Sequence, residues 1–69
     1  MDKFKQYKLK ITEKNKDLVN DYLQEIQNIV DKYDIDKELY DDIEERLFEK
    51  LSNAKTLDEL SIKKILKEI

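Results

Sequence analysis

Five carboxylates, Asp41, Asp42, Glu44, Glu45 and Glu49, stand within nine residues of a chain that has no histidine and no cysteine. Paired carboxylates do acid–base work when a cleft and unequal surroundings push their pKa values apart. Here the acids alternate around the surface of one predicted helix, with no glycine loop beside them. A solvated charged face accounts for them, and no catalytic residue is assigned. Asp34, Asp36, Glu38, Asp42 and Glu45 raise a second question, because they fall at positions 1, 3, 5, 9 and 12 of a calcium-binding loop. The sixth position of such a loop needs glycine for its sharp turn, and here it is Leu39. An apolar helical period already runs through the stretch, so neither a metal nor a cofactor is expected.

The remaining chemistry lies in charge. Residues 1–16 hold six lysines (Lys3, Lys5, Lys8, Lys10, Lys14, Lys16) against Asp2 and Glu13, whereas residues 17–69 hold eight basic against fifteen acidic side chains. A basic segment interleaved with Phe4 and Tyr7 could meet phosphates and stack on bases, but the acidic body would repel a polyanion. The asymmetry suits docking on an acidic partner or on a second copy of the chain.

These groups must be positioned by a small body. The 69 residues are 39% apolar and 45% charged, and no three apolar residues are adjacent. A chain of this size buries only about 60% of its unfolded surface, which allows one thin core without disulfide or zinc. No apolar run approaches the length of a membrane span and no secretory signal is recognisable. The expectation is a cytoplasmic module with no segment inserted in a membrane.

Leu18, Val19, Tyr22, Leu23, Ile26, Ile29, Val30 and Tyr33 recur at spacings of three and four and predict a first helix over 13–33, capped by Thr12 or Asn15. Asp36 is the expected cap of a second helix over 36–53, with Ile35 and Tyr40 as its hydrophobic staple. That helix should bury Leu39, Tyr40, Ile43, Leu47, Phe48 and Leu51. Asp42 and Arg46, one turn apart, form the expected structural salt bridge. The run Thr56-Leu57-Asp58-Glu59 matches a capping box and opens a third helix over 57–69, marked by Leu57, Leu60, Ile65, Leu66 and Ile69, which is preferred to the competing cap Ser61 that would leave 57–60 a single turn.

Residues 1–12 form a basic arm. Tyr7, Leu9 and Ile11 alternate with Lys8 and Lys10, the period of a half-buried strand, although Met1, Phe4, Tyr7 and Ile11 also fit a helical stripe. The strand is preferred because KLKIT holds strict period two. A single strand has two open edges, so it calls for a mate from a partner protein or a second copy. Phe4, Tyr7, Lys8, Leu9, Lys10 and Ile11 are therefore the candidate interface. The tyrosines and Phe48 could anchor an interface, yet each lies on the apolar stripe of its element, where core packing explains it.

The run DYLQEIQNIVDKYDIDKELYDDIEERLFEKL followed by TLDELSIKKILKEI resembles the short helical module found beside phage shock protein C domains in bacterial envelope-stress proteins. Its central signature is Asp42-Ile43-Glu44-Glu45-Arg46-Leu47, around the one arginine of the chain, and YKLKIT stands where relatives carry a short strand. The glycine usual after the last helix is missing, since the sequence stops at Ile69, and so is the membrane-spanning domain. The resemblance implies a piece of a longer protein with a regulatory role in association.

The sequence thus predicts an all-α protein, a three-helix bundle (13–33, 36–53, 57–69) with a short N-terminal β-strand or arm that a second copy would pair. Leu18, Tyr22, Leu23, Ile26, Ile29, Val30, Leu39, Ile43, Leu47, Phe48, Leu51, Leu60, Ile65 and Leu66 are its expected core. The expected function is non-enzymatic protein–protein interaction or self-association. The alternative is a ribbon-helix-helix-like dimer that binds nucleic acid, with Lys8, Lys10 and Thr12 facing the DNA major groove.

Overall fold

The computed structural model describes residues 2–69, and among these it contains four helices and no strand: α1 (Lys3–Gln6), α2 (Glu13–Lys32), α3 (Lys37–Asn53) and α4 (Glu59–Glu68). Met1, part of the helical stripe noted above, lies outside the described residues.

Two long helices form the frame. Thr12 caps α2 by accepting from the Asn15 amide at 3.2 Å, and Asp36 caps α3 by accepting from Glu38 at 3.0 Å. Between them only residues 33–36 remain, which makes α2 and α3 an antiparallel hairpin. The turn works without glycine. Asp34 takes the left-handed conformation (φ 51°) and the Ile35 amide reaches back to the Val30 carbonyl at 3.0 Å, the long bond of a Schellman closure.

The N-terminal segment is a helical turn, which corrects the predicted strand. Asp2 caps it by accepting from the Phe4 amide at 2.9 Å. It ends on a complete Schellman motif: Lys8 to Lys5 and Leu9 to Phe4 carbonyl bonds, both 3.0 Å, with Lys8 left-handed at φ 55°. The tight reversal turns Phe4, Tyr7, Leu9 and Ile11 all towards one core. Alternation of these residues with lysine is the product of a turn and a reversal, not of an extended strand.

The core is centred on Val19, Leu23, Leu47, Phe48, Leu51, Ile62 and Phe4. Each such fully buried side chain contributes on the order of 1.5–3 kcal/mol by leaving water. Ile62 stands in place of Leu60, which is 80% exposed. The reason is helical phase: at about 100° per residue Leu60 lies on the side of α4 opposite Ile62 and Ile69. Asp58, not Thr56, begins α4 by accepting from the Ser61 amide at 2.8 Å, while the Thr56 and Ser61 hydroxyls lie 3.2 Å apart. From that start Ile62, Ile65, Leu66 and Ile69 form the inward stripe at i, i+3, i+4 and i+7, and Leu57 and Ile62 hold the two staple positions.

Ile29 and Leu39 were expected in the core and are 47% and 45% exposed. Helix length accounts for this. At 1.5 Å per residue, α2 is about 30 Å long and α4 about 15 Å. Ion pairs Lys14–Glu59 (3.7 Å) and Lys50–Glu68 (3.8 Å) hold both ends of α4 near the start of α2 and the finish of α3. Among the described residues nothing comparable covers the other end of the hairpin, where Ile29, Tyr33 and Leu39 face outward.

Candidate interaction surface

The predicted interface residues divide sharply. Phe4 is buried, with its ring 5.2 Å from that of Phe48 at 72°. Tyr7 stacks on the other side of this cluster, 5.5 Å from Phe48. Leu9 and Ile11 are half-buried against the same core, and only Lys8 and Lys10 stay exposed. The Lys16 ammonium sits 5.6 Å over the Phe4 ring, and Lys3 pairs with Glu44 of α3. The N-terminal segment is thus docked on its own chain rather than held open for a sheet edge.

Glu44 ties this docking together, since it also accepts from the Tyr40 hydroxyl at 3.4 Å. Burial, followed by the neighbouring Glu44 charge, raises the Tyr40 phenol above its ordinary value. The hydrogen bond that Lys3 donates to Glu44 raises the Lys3 ammonium in turn, against the smaller opposing effect of burial. Beside these residues runs an open groove of about 860 Å³ between α1, α2 and α3, floored by Phe4, Leu23 and Phe48 and walled by charges of both signs.

Asp41, Asp42, Glu44, Glu45 and Glu49 line the surface of α3. Among the described residues no group of three or more potential ligands could hold a metal ion. The calcium-loop spacing is accounted for by α3, which is helical from Lys37 onward. Asp42 and Arg46 approach to 3.6 Å, each more than half exposed. They join two turns of one helix, so the pair contributes about 0.3–0.5 kcal/mol at most and spans no helix–helix contact.

Asn15 is a residue that the sequence reading considered only as a cap. It is buried (7% exposed), and its side-chain amide donates to the Leu57 carbonyl at 3.0 Å. This clip fixes the α3–α4 loop to the first turn of α2.

The outward apolar side chains are Ile29, Tyr33 (64% exposed), Leu39 and Leu60. The first three cluster in sequence around the free end of the hairpin, where residues 29–42 carry six acids (Asp31, Asp34, Asp36, Glu38, Asp41, Asp42) and two lysines, all exposed. Leu60 lies on α4 with Lys63, Lys64 and Lys67, also exposed. Among the described residues no helix is long and apolar enough to cross a membrane. Compared with protein-family models, curated proteins and solved structures, the chain matches none.

Proposed function

We propose that this chain is a non-enzymatic protein–protein interaction module. The observation that carries the reading is the exposure of Tyr33 and Leu60, 64% and 80%, on helices whose opposite faces are already committed to a core. Single exposed apolar side chains are common on any protein. Here, however, Ile29, Tyr33 and Leu39 gather at one end with a surplus of acid around them, and aromatic anchors with a charged rim are what interfaces use. Recognition then falls to the free end of the hairpin and to α4. The resemblance to phage shock protein C-associated modules belongs to the same proposal and would make the association regulatory, in a cytoplasmic setting.

A separation-of-function variant tests this. Tyr33→Ser combined with Leu60→Ser is expected to change unfolding free energy by less than about 1 kcal/mol, since exposed positions contribute little. It should also abolish recovery of the proteins that co-purify with the wild-type chain. Retained association in the variant overturns the assignment of the surface, and absence of any associated protein overturns the function.

A further inference from the structure

Resting on that reading, we infer that a partner of this chain is a second copy of itself, with the acidic free end of one hairpin seated on the basic outer face of α4 of another. On α4, Leu60, Lys63, Lys64 and Lys67 follow one another at i, i+3, i+4 and i+7 and so share a face. The two glutamates of that helix are occupied elsewhere, Glu59 with Lys14 and Glu68 with Lys50. The three lysines have no ion-pair partner among the described residues. Their stems, with Leu60 and Leu66, line a shallow depression of about 400 Å³, apolar at its base and cationic at its rim.

The opposite pole has the complementary form. Tyr33 projects there, with Ile29 and Leu39 near it in sequence and four more acids than lysines over residues 29–42. Asp31, in the last turn of α2, accepts from the Gln27 side-chain amide at 3.0 Å and Asp34 supplies the left-handed residue of the turn, yet both carboxylates stay exposed at this pole. A tyrosine ring in the Leu60–Leu66 depression would also lie within reach of lysine ammonium groups.

One molecule cannot make this contact alone. The anchors of α4 lie at the end where α2 starts, and the acidic pole lies a helix length of about 30 Å away. The two patches differ, so the contact is made either reciprocally in a two-fold dimer or head to tail in a ring or a row.

Charge reversal provides the test, by sedimentation equilibrium of the purified 8.4 kDa chain at low and high salt. Wild type should exceed the monomer mass at low salt and return to it at about 0.5 M salt, where exposed charges are screened. Lys63→Glu with Lys64→Glu, and separately Asp31→Lys with Asp34→Lys, should each weaken association by roughly tenfold or more through like-charge contact. Mixing the two variants should restore it, because each then offers the other an opposite charge at both patches. A wild type that stays monomeric up to about 1 mM at low salt overturns self-docking. So does association that is indifferent to both reversals. Neither result touches the interaction reading, which stands or falls on whether Tyr33→Ser with Leu60→Ser loses other co-purifying proteins.

Discussion

Phe4 meets Phe48 edge to face, with centroids 5.2 Å apart, and this one pair converts the N-terminal residues from an arm into a wall of the core. Phe48 is 2% exposed because Phe4 and Tyr7 cover it. Without them its ring would face water in a body too small to compensate.

Phe4→Ala is therefore expected to cost about 3 kcal/mol or more, the usual loss for a buried phenylalanine. Urea unfolding followed by circular dichroism measures it. Phe4→Leu should recover most of the loss, whereas a cost below about 1 kcal/mol for the alanine variant would mean that α1 is not packed as described.

Lys8 and Asp34 hold left-handed backbone in a chain without glycine. A residue with a β-carbon gives up roughly 1 kcal/mol or more there, aspartate less than lysine. Lys8→Gly should stabilise by about 0.5–1 kcal/mol after the added chain entropy of glycine is counted, and Asp34→Gly by less. Thermal unfolding of both variants checks the order, and destabilisation by Lys8→Gly would refute the Schellman ending of α1.

Asn15→Ala removes the donor to the Leu57 carbonyl and is expected to cost about 1–3 kcal/mol, the range for breaking a buried hydrogen bond. Amide hydrogen exchange should show the loss concentrated in residues 54–62. Uniform loss over the whole chain would mean that Asn15 does not act through the loop.

Much of this architecture was legible beforehand. The stripe from Leu18 to Val30 and the caps at Thr12 and Asp36 follow from side-chain spacing and local hydrogen bonding, which short sequence windows carry. The start of α4 was harder, because Thr56-x-x-Glu59 and Asp58-x-x-Ser61 are both plausible openings and differ by two residues. The inward place of Ile62 does not depend on that choice, and Ile62, Ile65, Leu66 and Ile69 at helical period are a usable signal for it. The N-terminal turn was misread because Lys8 in left-handed backbone mimics period two. Exposure of Ile29, Tyr33 and Leu39 was not legible at all, since periodicity marks an apolar face but not whether another helix is long enough to cover it.

Asp58 lies below its ordinary carboxylate value because the Ser61 amide, and then the Ser61 hydroxyl, favour its charged form. A depressed folded pKa contributes stability that is present above the ordinary value of 3.8 and lost as pH falls through the folded value. NMR titration should place the Asp58 midpoint below 3.8, and Asp58→Asn should keep the cap while removing this acid dependence. A midpoint at or above 3.8 would contradict the cap.

At the alkaline end Tyr40 and Lys3 are both raised, from 10.0 and 10.5, so what they contribute is intact below pH 10 and lost as pH climbs past their folded values. Glu44→Gln removes the negative charge beside both. Spectroscopic titration should then show the Tyr40 midpoint falling; an unchanged midpoint would mean that the Glu44 carboxylate does not lie beside the Tyr40 hydroxyl.

The central claim is that the chain uses its free hairpin end and α4 for recognition while its N-terminal segment stays in the core. In-cell photocrosslinking tests this directly, with a photoreactive residue placed in turn at positions 33, 60 and 10. Discrete protein adducts from Tyr33 and Leu60 and none from Lys10 are the predicted result. Adducts from Lys10 alone would return recognition to the N-terminal segment and contradict the account.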